Sequence, residues 1–163
     1  MDKKTFIRDF DPCDDGLEWM KSQKTTSLNK LWSICHRPDW LIYGYVSLRK
    51  YTGLLDDKAV IQALVYLIKE IQPDTVEHLA LIEDYLNGIG FGEYEMSIEI
   101  DDLKFNYSDA VIPVYQIMEF LIHNHTDRLI DSAWNLLRDE NLSYERLMEL
   151  SNKVREIIPN PND

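Results

Sequence analysis

The sequence predicts an all-α fold, and three observations carry that expectation. Apolar residues recur at spacings of three and four along most of the chain, Asp and Ser stand where these runs begin, and Gly, Asn or Pro stand where they end. With 45% hydrophobic and 28% charged residues over 163 positions, the composition is that of a globular protein. No internal repeat, low-complexity tract or Pro/Gly/Ser linker divides the chain, so one bundle-like helical domain over 1–163 is expected.

The elements follow in order. Asp11-Pro12 reads as a cap followed by a first-turn proline, opening a helix over about 12–23 whose apolar face holds Leu17, Trp19 and Met20. Ser27 caps a second, with Leu28, Leu31, Trp32 and Cys35 at helical spacing, until His36-Arg37-Pro38 ends it. Antiparallel pairing of these two helices brings Cys13 near Cys35. Asp39 is placed to cap an aromatic helix running to Thr52-Gly53. Asp56-Asp57 starts the most regular stripe, Val60, Ile61, Leu64, Val65, Leu67 and Ile68, which Pro73 closes. Asp74 then caps a helix with Val76, Leu79, Ile82, Tyr85 and Leu86 inward, stopping at Asn87-Gly88.

Over 94–107 two readings stay open. Tyr94, Met96, Ile98 and Ile100 alternate with polar residues, Leu103, Phe105 and Tyr107 alternate in the opposite phase, and a turn at Asp101-Asp102 makes a short β-hairpin with one apolar face. Met96, Ile100, Leu103 and Tyr107 also fit a helix. Beyond them come helices from Ser108 or Asp109 to about Ile122, from Asp127 with Leu129, Ile130, Ala133, Trp134 and Leu137 inward, and from Ser143 with Leu147, Leu150, Val154 and Ile157 inward.

The net charge of −12 is concentrated: residues 70–119 hold twelve acids against the single base Lys104. Direct binding to nucleic acid needs clustered Lys and Arg and is not expected; a basic protein partner is. Within the window, Glu93, Glu95, Glu99, Asp101 and Asp102 are the candidate partner-binding residues. They lack the glycine-centred spacing of a calcium loop, so a solvated acidic face is the alternative to partner binding.

Other chemistry is weakly signalled. No serine sits in a glycine-flanked elbow, and Gly88-Ile89-Gly90-Phe91-Gly92 has no lysine or strand-to-helix framing for phosphate, so neither a catalytic residue nor a cofactor is expected. Cys13, Cys35 and His36 admit a thiol or zinc enzyme as an alternative, although paired Cys-x-x-Cys spacing is missing and no metal is expected. His123-x-His125 complements a helix end. Two cysteines make no disulfide framework, no apolar run reaches the ~20 residues of a membrane span, and the opening residues lack a signal-length apolar core. A cytoplasmic protein with no membrane contact is expected.

The run Pro12-Cys13-Asp14-Asp15-Gly16-Leu17-Glu18-Trp19, then Leu31-Trp32, Cys35-His36-Arg37-Pro38-Asp39-Trp40-Leu41, and the closing Val154-Arg155-Glu156-Ile157-Ile158-Pro159-Asn160-Pro161 resemble a family of small helical bacterial and phage proteins, some labelled immunity proteins. These segments cover under a third of the chain. The resemblance implies a helical scaffold and a role in toxin immunity or phage–host conflict, with no catalytic residues to carry over. Pro38 replaces a glycine common in the family, and the acidic segment replaces its alanine-rich middle. The expected function is thus a non-enzymatic immunity or inhibitor protein engaging a basic partner such as a toxin; a nucleic-acid mimic using the same acidic face is a further alternative.

Overall fold

A computed structural model describes residues 1–90, 97–101, 109–138 and 140–161. Among them every regular element is a helix, and the one strand-like contact is an isolated antiparallel bridge between Asp2 and Ser27. The chain packs as two compact units, Met1–Leu55 with Ser143–Asp163, and Asp56–Leu142.

The first unit holds α1 (Lys3–Phe10), α2 (Asp14–Ser22), α3 (Leu28–Ile34), α4 (Pro38–Thr52) and α9 (Tyr144–Ile157). The sequence reading did not anticipate α1. Asp2 caps it, accepting from the Thr5 N–H at 2.8 Å, and Asp11 ends it in the left-handed region at φ 45°. Asp11 is therefore not the cap of α2; Cys13 occupies that position. Phe6 of α1 packs with Met20, Leu28, Leu31 and Leu48, flanked by Ile7, Phe10, Trp19 and Tyr43. Lys3 Nζ donates to the carbonyls of Met20 at 3.1 Å and Gln23 at 2.7 Å, so α1 closes the end of α2. Ser27 caps α3 as expected, through the Lys30 N–H at 3.4 Å.

Helix α4 begins two residues earlier than expected, with Pro38 in its first turn and Arg37, not Asp39, in the cap position. A first-turn proline loses nothing, because its missing N–H would have no intrahelical partner. Gly53 ends α4 at φ 69°, where a side chain would be strained. Helix α9 packs on α4, with Leu150, Ser151 and Val154 fully buried, and Ser143 caps it through the Arg146 N–H at 3.2 Å.

The second unit is built around α5 (Asp57–Ile71), capped by Asp56 through the Ala59 N–H at 3.1 Å. Val60, Ile61, Ala63, Leu64, Leu67 and Ile68 are wholly excluded from solvent. After it come a 3-10 helix (Pro73–Leu79) and α6 (Ala80–Leu86), a turn of helix over 97–101, a short 3-10 helix (Asp109–Val111), α7 (Ile112–His123) and α8 (Asp127–Arg138). Helices α7 and α8 form an antiparallel pair turned at Asn124, φ 55°, and α8 packs on α5. Ser132 Oγ donates to the Pro113 carbonyl at 2.9 Å inside this pair. No described helix is long and apolar enough to cross a membrane.

Where the sequence left hairpin or helix open over 94–107, residues 97–101 are helical. Ile100 is buried while Ile98 is 53% exposed, whereas strand alternation would turn both to one side. The remaining positions of that segment lie outside the described residues.

Candidate functional site

The acidic window centres on the 3-10 helix Pro73–Leu79. Because residues three apart eclipse in this geometry, Thr75 and His78 share its buried face, and Asp74, Val76 and Glu77 are left outside. Asp74 is thus not a helix cap: it sits one residue after the first-turn Pro73, and Thr75 Oγ1 donates to the Gln72 carbonyl at 2.8 Å there. The 3-10 helix packs against α5, α6, α7 and the Asp109–Val111 helix. His78, 9% exposed, places Nε2 at 3.6 Å from Glu77 Oε1 and Nδ1 at 3.7 Å from Glu99 Oε1. That contact lays the 97–101 turn alongside the 3-10 helix.

Of the residues chosen from sequence, Glu99 is half-buried at this contact and Asp101 is exposed, while Glu93, Glu95 and Asp102 lie outside the described residues. The structure adds exposed Asp74, Glu77 and Asp109 to the same neighbourhood. Sequence reasoning missed Asp74 and Glu77 because a 3.6-residue period assigned them to a helix cap and its first turn. The signal available was Pro73 with Asp74-Thr75, where Ser, Thr and Asp side chains compete with the α-helical ladder.

The charge is divided between the units. Asp56–Leu142 contains eighteen acidic and five basic residues, net −13, and the remainder contains eleven acidic and twelve basic, net +1. In the acidic unit four of the five bases already have partners. Lys69 Nζ pairs with Glu83 at 2.5 Å, and Arg128 reaches Glu119 at 3.0 Å and Asp131 at 3.5 Å. Lys58 stands over the Tyr85 ring at 5.2 Å and Arg138 over the Trp134 ring at 4.8 Å. The fifth, Lys104, lies outside the described residues.

The cysteine and histidine constellation belongs to the other unit. Cys13 is exposed and Cys35 buried. Burial pushes the Cys35 thiol up to about 12, so at neutral pH it holds its proton and is no nucleophile. His36 lies among the rings of Tyr144, Trp40 and Trp19 at 5.1, 5.9 and 6.2 Å. Its pKa is lowered first by burial and then by the adjacent Arg37. Arg37 makes two bonds to the buried Asp39 carboxylate, at 2.9 and 2.8 Å. A Cβ on Gly16 would stand 3.3 Å from Cys13 Sγ and 3.8 Å from the Trp40 ring, so glycine lets these groups close over the first turn of α2. His123 and His125 are exposed neighbours with ring centroids 5.9 Å apart. Among the described residues no group of three or more His, Cys, Asp or Glu is placed to hold a metal ion.

Fold and charge together define an all-α protein of two helical units, one strongly acidic. Neither a protein-family model, nor a curated protein, nor a solved structure matches the chain.

Proposed function

We propose that the protein is a non-enzymatic binding protein of the immunity or inhibitor type, whose acidic unit engages a basic protein. The observation that carries this reading is the segregation of charge: −13 lies within Asp56–Leu142, and four of that unit's five bases are already engaged internally. Such a field speeds the approach of a positively charged partner and disfavours acidic ones. A nuclease-type toxin, basic because it must hold phosphates, fits that requirement. The thiol-enzyme alternative loses support from the protonated, buried Cys35.

The test is affinity capture from the source cells at low and high salt, repeated with the double variant Asp74→Lys/Asp101→Lys. A basic protein retained at low salt and released at high salt is expected, with the variant weakening its affinity by at least about tenfold through lost charge complementarity. Unchanged affinity and unchanged salt dependence in the variant would sink the proposal.

A further inference from the structure

The turn between α7 and α8 sets two histidines side by side. In a continuing helix, residues two apart do not face each other. Asn124, however, takes the left-handed conformation, φ 55° and ψ 32°, and ends α7 after His123. The chain reverses there, and the ring of His125 comes to rest 5.9 Å from that of His123, centroid to centroid. Both residues are exposed. Among the described residues neither imidazole makes a hydrogen bond or an ion pair, so the ring nitrogens are open to a ligand. The helix-end role expected from sequence accounts for His123, which lies in the last turn of α7, and leaves the placement of His125 unexplained.

We propose that His123 and His125 together chelate a late first-row divalent metal ion of the Ni²⁺, Cu²⁺ or Zn²⁺ class. Imidazole nitrogen is a favoured ligand of these ions. Metal–nitrogen bonds of about 2.0–2.1 Å place the centroids of two neighbouring imidazole ligands roughly 4.5–5.2 Å apart. Rings standing at 5.9 Å reach that separation by rotation of their exposed side chains. The surroundings favour a cation. The last carbonyls of α7 lack helical partners and present the negative end of its dipole. The unit carries net −13, and Arg128, the base nearest in sequence, is engaged by Glu119 at 3.0 Å and Asp131 at 3.5 Å. The other two histidines are poor competitors for the ion, since His78 is buried and His36 is packed among three rings.

The experiment titrates the untagged whole chain with Ni²⁺ alone by calorimetry. One ion per chain is expected to bind. His123→Gln and His125→Gln are each expected to weaken that binding at least about tenfold, because the second imidazole of a chelate acts at a high effective concentration. The double variant should bind little more weakly than either single one, since losing one ring already removes the chelate. In NMR spectra of the unaltered chain, the ring protons of His123 and His125 should broaden first as paramagnetic Ni²⁺ is added. No saturable binding overturns the proposal. Binding that either single variant leaves intact, or broadening that begins at other residues, places the ion elsewhere and overturns it equally.

Discussion

Cys35 shows how one buried side chain writes a pH dependence into the fold. Its thiol donates to the Arg37 carbonyl at 3.5 Å and is nearly sealed from solvent, which raises its pKa from an ordinary 9.0 to about 12. A proton is therefore held more tightly in the folded state than in the unfolded one. The linked stability is fully present below pH 9 and falls as pH rises from 9 towards 12. Denaturant titrations across that range should show the decline, and Cys35→Ala should flatten it; an equally steep decline in the variant would assign it elsewhere. A thiol reagent at neutral pH should modify Cys13 quickly and Cys35 only after unfolding. The burial of Cys35 was legible from its helical spacing with Leu28 and Leu31, whereas the exposure of Cys13, beside the first turn of α2, was not. Helical spacing misled at Trp134, expected on an inward face yet 47% exposed, with Arg138 laid over its ring.

At the scale of the element, α3 illustrates a helix finished by a residue far away in the sequence. Its last carbonyls have no partners within the helix, and Arg155 supplies them: Nε donates to the Trp32 carbonyl at 2.8 Å and a terminal nitrogen donates to that of Cys35. Removing the guanidinium leaves two carbonyls in a partly buried position, so Arg155→Ala should cost about 2–3 kcal/mol by urea unfolding. Amide exchange should quicken first in the last turn of α3. Lys at 155 should recover only part of the loss, and a cost below about 0.5 kcal/mol for Ala would remove the clamp from the account. Most helices were legible where local chemistry agreed with tertiary need, as at Ser27, Gly53, Asp56 and Ser143. The failures fall where the local signal was short or ambiguous. Helix α1 spans eight residues and buries only Phe6, too little for a periodic stripe. The Pro73–Leu79 helix winds with a different period from the one assumed, and 97–101 fitted strand and helix alike. The candidate site lies in those short elements, so its acidic character was legible while the neighbours Asp74, Val76 and Glu77 were not.

Over the whole molecule, the uneven charge gives the two units different responses to salt. Within Asp56–Leu142 eighteen carboxylates repel one another with few cations to offset them, whereas the other unit is close to neutral. Raising ionic strength from ~0.02 M to ~0.5 M shortens the screening length from roughly 20 Å to 4 Å. Amide protection in α5, α7 and α8 should rise accordingly, while that of α4 and α9 changes little. Uniform change along the chain would mean that self-repulsion does not distinguish the units. The pairing of distant segments in the nearly neutral unit also sets an order of assembly during synthesis. Its first 55 residues leave the ribosome early, but α4 lacks its partner and α3 its guanidinium until α9 has been made. The acidic unit is contiguous and complete by Leu142. At about 5–20 residues per second, translating Asp56–Leu142 takes on the order of 4–17 s, and for at least that long α3 and α4 stand without the partners that α9 supplies.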